Sequence, residues 1–90
     1  MKKIESIKIY GKLWFQRLYG NTYHSVTVIV NNEEILFKGF TYGYGNQFLQ
    51  TAVDLLNEAG YSTTYSDLIK IADYKSKEVS RKKDLYKEIF

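Results

Sequence analysis

The sequence has no cysteine and no proline in its 90 residues, and only one histidine, one tryptophan and one methionine. Without cysteine neither a disulfide framework nor a thiolate metal site can form, and the composition fits a reducing cytoplasm, the compartment we expect. No proline-rich linker, low-complexity tract or internal repeat marks a boundary, so a single domain over residues 1–90 is expected. No apolar run approaches the roughly twenty residues of a membrane span. The opening MKKIESIKIY also lacks the long apolar segment of a secretory signal. The chain therefore reads as soluble, with no membrane partner.

Catalytic groups are as scarce. His24 is the lone histidine, and the sequence assigns it no Ser or Cys nucleophile with an orienting carboxylate. A histidine beside a hairpin more often hydrogen-bonds the turn or packs on neighbouring rings. Asp54 and Glu58 share a helix face and Glu33 and Glu34 share a turn, but carboxylate pairs without His or Cys are ordinary solvated charges. No metal, no cofactor and no catalytic residue is expected, and the chain reads as a non-enzymatic binding protein.

Charge and tyrosine are what the chain does have. The formal net charge is +3, yet residues 1–74 carry seven basic and seven acidic side chains, so the whole excess lies in residues 75–90. There Lys75, Lys77, Arg81, Lys82, Lys83 and Lys87 outnumber Glu78, Asp84 and Glu88, a balance that suits nucleic acid or an acidic protein surface. The alternative is a solvated helix face. Nine tyrosines supply rigid contact surface with a polar tip, useful at interfaces as well as in a core. A chain this short would also gain burial from pairing with a second copy of itself.

Along the chain, residues 7–15 alternate, with Ile7, Ile9, Leu13 and Phe15 opposite Lys8, Tyr10, Lys12 and Trp14, which predicts a half-buried strand. Gly11 marks a bulge or the close approach of a helix. Gly20 and Asn21 supply a turn, Val26, Val28 and Val30 line one face of a second strand, and Asn31 and Asn32 make the next turn. Residues 35–40 form a third strand whose facing the alternation leaves open. Phe48, Leu49, Ala52, Val53, Leu55, Leu56 and Ala59 then crowd one face of a helix, with Asn46 as its side-chain cap and Gly60 as its left-handed stop.

The expected fold is α+β: a three-stranded antiparallel meander at about 5–18, 23–31 and 34–41, with a helix over 46–59 packed on one face. This βββα core spans residues 5–60, and a basic, mainly helical segment follows over 61–90. Tyr65, Leu68, Ile69 and Ala72 predict a short helix behind a Thr64 or Ser66 cap. Residues 74–79 read as a short edge strand or a linker, before a last helix capped by Ser80 that presents Leu85, Tyr86, Ile89 and Phe90. One helix over 66–90 is the alternative.

Two candidate sites emerge. The loop Tyr42-Gly43-Tyr44-Gly45-Asn46 precedes a helix N-terminus, so Gly43, Gly45 and Asn46 are candidates for binding a nucleotide or another anion. Tight entry into the helix is the competing reason for those glycines. The sheet face away from the helix would show Lys8, Tyr10, Lys12, Trp14, Tyr23, Ser25, Thr27, Ile29 and Lys38, a mixture suited to stacking bases or docking a protein, unless the tail folds over it. The partner-binding surface is expected from Trp14, Tyr23, Tyr42, Tyr44, Arg81, Lys82 and Lys83.

The segments Trp14-Phe15, Tyr19-Gly20-Asn21-Thr22-Tyr23-His24, Tyr42-Gly43-Tyr44-Gly45, Gln50-Thr51-Ala52 and Arg81-Lys82-Lys83-Asp84-Leu85 together resemble a group of small uncharacterised phage-encoded proteins. The resemblance covers most of the chain. It implies an accessory protein that binds stoichiometrically and inhibits a host antiviral defence system, in the manner of anti-CRISPR proteins. Residues 7–59 more distantly resemble the strand-strand-strand-helix part of double-stranded-RNA-binding domains. That likeness implies a nucleic-acid-binding module as the alternative, although the family's lysine cluster at the helix N-terminus is replaced here by Gly45, Asn46, Gln47 and Phe48.

Overall fold

The computed structural model describes residues 4–86. The meander is present as β1 (Ile7–Gln16), β2 (Asn21–Val30) and β3 (Glu34–Tyr42), followed by α1 (Gln47–Glu58). Each hairpin is closed by the residues that tolerate a left-handed backbone. Gly20, at φ +70°, donates its N–H to the Gln16 carbonyl at 2.9 Å. Asn31 and Asn32 sit at φ 54° and 58°, and the Glu33 N–H closes their turn on the Val30 carbonyl at 3.0 Å. Two consecutive left-handed residues match the right-handed twist of the flanking strands.

The core is the one-sided sheet and the helix covering each other. Ile7, Ile9, Val26, Val28 and Val30 meet Phe48, Leu49, Ala52, Val53 and Leu56, all buried. Apart from Ala52, each such side chain contributes about 1.5–3 kcal/mol relative to exposure. Of the two roles open to Gly11, the structure selects the close approach of the helix: a Cβ there would lie 2.6 Å from atoms of the Phe48 ring. Gly60 ends the helix at φ +97°, and the Tyr61 N–H returns to the Leu56 carbonyl at 2.8 Å. Asn46 does not cap. Its backbone is at φ −91°, ψ 15° and its side chain makes no capping bond, because a capping oxygen reaches the first turn only from an extended residue.

The C-terminal third departs from the mainly helical expectation. It divides into α2 (Tyr65–Ile71), a strand β4 (Asp73–Glu78) and a short 3-10 helix, Lys82–Tyr86. Thr64 caps α2 by accepting the Asp67 N–H at 3.2 Å. β4 then pairs in parallel with β1, giving a four-stranded sheet in the order β3-β2-β1-β4. The outer edge of β1 would otherwise present unpaired backbone groups, and a parallel partner requires the long crossover that α1 and α2 supply. The 3-10 helix lies against β1, β2 and β3 with Leu85 fully buried. Ile89 and Phe90, expected on a last helix, lie outside the described residues.

Candidate functional site

A bulge decides which rings reach the outer face. Val26 pairs with Lys38 but His24 pairs with Thr41, so β3 carries one extra residue between the pairs, at Gly39 and Phe40. On the turn side of the bulge, the register from the Asn31-Asn32 turn puts Leu36 and Lys38 on the helix-side face with Val28 and Val26, so Lys38 is not on the outer face where it was expected. Beyond the bulge the phase is reversed and Phe40 joins Tyr42 on the outer side.

The result is a ladder of rings across the sheet. Trp14 stacks on Tyr23 with centroids 6.0 Å apart, Tyr23 on Phe40 at 4.5 Å, and Phe40 on Tyr86 of the 3-10 helix at 6.1 Å. Tyr42 meets Tyr23 edge-on at 5.7 Å. Lys82 places its Nζ 4.7 Å from the centre of the Phe40 ring, a cation–π contact. Trp14, Tyr23, Tyr42 and Lys82 are thus brought together, and Phe40 and Tyr86 belong with them. The bulge hid Phe40; Gly39, inside a strand, is the signal that points to it.

The basic turn is anchored from below. Lys12 is buried under it and donates from Nζ to the Asp84 carbonyl at 3.3 Å. Arg81 reaches the Asp84 carboxylate at 3.5 Å, while Lys82 and Lys83 are exposed. The tail therefore covers the middle of the outer face and leaves Trp14 half-buried at its margin.

Tyr44 stands apart from the ladder. With Gly45 and Asn46 it lines an open cleft of about 1390 Å³ at the end of the sheet, shared with Trp14, Arg17 and Lys77. Gly43 is buried and its carbonyl faces inward, so the three residues expected to hold an anion are divided.

His24 explains that inward carbonyl. A carbonyl can only accept, so the imidazole Nδ1–H donates to Gly43 at 3.1 Å and Nε2 accepts from the Thr51 hydroxyl at 2.7 Å. Burial pushes the imidazole pKa below its ordinary 6.5, and the hydrogen bond to Gly43 opposes the shift. A hydroxyl, a base and an orienting acceptor in line are the parts of a nucleophilic triad. Here His24 and Thr51 are only 1% and 7% exposed, and the bonds tie β2, α1 and the Tyr/Gly loop together.

Among the described residues no group of three His, Cys, Asp or Glu side chains is arranged to hold a metal. No helix among them is long and apolar enough to cross a membrane. Comparisons with protein-family models, curated proteins and solved structures return no match.

Proposed function

We propose that this protein acts by stoichiometric binding, laying the ring ladder and its basic turn on an acidic protein surface. The partner is a component of a host antiviral defence system, as the resemblance to small phage proteins implies. The observation that carries this reading is the Trp14–Tyr23–Phe40–Tyr86 ladder with Lys82 over Phe40. Rings held by one another lose little entropy on docking, and a cation beside them adds charge complementarity.

The packing favours a protein over a nucleic acid. Tyr23 and Phe40 lie 4.5 Å apart and only 18° from parallel. Their facing surfaces are already occupied by each other, whereas a single-strand platform keeps ring faces open for bases.

The test has two arms. Efficiency of phage plating is measured on a panel of hosts carrying different defence systems, with and without the protein. Plating is expected to rise on at least one host, and Phe40→Ser and Lys82→Glu are expected to abolish the rise without loss of folding. In parallel, mobility shifts are run with single-stranded and duplex DNA and RNA at low salt. A salt-sensitive shift that disappears in the Arg81, Lys82 and Lys83→Ala variant would replace the protein partner with nucleic acid, because phosphate neutralisation releases counterions.

A further inference from the structure

The cleft at the end of the sheet meets the ring ladder only at Trp14 and differs from it in shape and lining. It opens where β1 and β4, the parallel pair, both reach their carboxyl ends, and the Tyr/Gly loop forms its third wall. Crevices outside the carboxyl ends of parallel strands are recurrent ligand sites, because the chain leaves the sheet there and a gap remains. The volume, about 1390 Å³, is ample for a small molecule.

Its lining specifies the ligand chemistry. Arg17 and Lys77 bring two cations to one concavity, the first a planar fork suited to phosphate oxygens and the second a point charge. Tyr44, with 66% of its surface exposed, and the half-buried Trp14 offer flat apolar surface. Asn46 lines the same cleft, and its failure to cap α1 leaves the carboxamide out of the helix's hydrogen bonding. Glu78, the one acidic residue of the lining, suits a hydroxyl or amine donor on the ligand. Cations for phosphate, rings for a planar base and a carboxylate for a donor belong together in one ligand class.

We propose that this cleft binds a nucleoside phosphate, with the phosphates on Arg17 and Lys77 and the base against Tyr44 and Trp14.

Trp14 is the single tryptophan of the chain and lines the cleft, so its indole N–H resonance reports occupancy without a label. The purified protein is titrated with ATP, adenosine and tripolyphosphate as separate probes. ATP is expected to move the resonance saturably with a Kd below about 1 mM, and adenosine and tripolyphosphate to bind at least about tenfold more weakly. Arg17→Ala and Lys77→Ala should each weaken ATP binding about tenfold, the equivalent of one charge-assisted hydrogen bond. Tyr44→Ala should weaken ATP and adenosine but not tripolyphosphate. Unchanged circular dichroism establishes that these variants fold. The Arg81, Lys82 and Lys83→Ala variant should bind ATP as the parent does while losing the defence partner, so this proposal and the ladder's role fail independently. Absence of a saturable shift with ATP overturns the proposal, and so does a shift that survives both Arg17→Ala and Lys77→Ala.

Discussion

Gly11→Ala is the sharpest probe of how this core is assembled, because two effects of opposite sign meet there. Gly11 lies inside β1, its backbone is not left-handed, and alanine in a regular element is ordinarily favoured over glycine by about 0.5–1 kcal/mol. Against that gain stands Phe48. A Cβ on residue 11 would sit 2.6 Å from two atoms of that ring and 3.0 Å from a third, where ordinary contacts begin near 3.4 Å. The ring is 1% exposed and packed among Ile9, Val26 and Leu49, so it cannot swing into solvent. Overpacking of a filled core costs about 1–3 kcal/mol, and the upper part of that range applies when the obstructing group is a rigid buried ring. We expect a net loss of about 2 kcal/mol and a fall in Tm of about 10 °C. Urea and thermal unfolding followed by Trp14 fluorescence and circular dichroism measure it. A second variant isolates the cause: in Phe48→Leu the branched chain leaves room over residue 11, so the pair should be less destabilised than the two single losses combined, by about 1 kcal/mol or more. An unchanged or raised Tm for Gly11→Ala, or strict additivity with Phe48→Leu, would refute the close-packing account.

Two further outcomes follow from hydrogen bonding. His24 is held neutral, with its pKa depressed by burial, so the folded state binds fewer protons than the unfolded one just below pH 6.5. Its contribution is complete above that pH and is lost as pH falls from 6.5 through the depressed folded value. Urea unfolding between about pH 5 and 7.5 should show the slope and His24→Gln should flatten it; an identical slope in the variant would contradict the assignment. At the helix starts, Thr64→Ala should cost about 0.5–2 kcal/mol of stability, because it removes the acceptor for the Asp67 N–H, whereas Asn46→Ala should stay within about 0.5 kcal/mol of the parent in thermal unfolding.

The elements legible in the sequence are those whose determinants are local. The valine alternation of β2, the Asn31-Asn32 turn and the apolar face of α1 each carry their signal within a few residues, and all three stand where the sequence places them. β4 could not be decided in this way. Its residues are all exposed, DYKSKE has no apolar face, and what makes it a strand is the backbone of β1, more than sixty positions earlier in the chain. A helix and an edge strand were both open to such a polar run until that edge was available to it.

The site divides along the same line. Trp14 and Tyr23 share a rung because strict antiparallel register aligns them, and that register follows from the turn at Gly20. Phe40 and Tyr42, by contrast, reach the outer face only because one residue too many lies opposite Ser25. A single bulge re-sorts the chemistry of a face, since every residue beyond it changes side. Lys82 and Tyr86 arrive by another non-local step: buried Lys12 donates to the Asp84 carbonyl and Leu85 fills the space beside it, fixing the basic turn over the third strand. Both steps concentrate rings and cations at the same end of the sheet, where neither hairpin needs them for closure. The binding role proposed for this face rests on that juxtaposition of rings and cations.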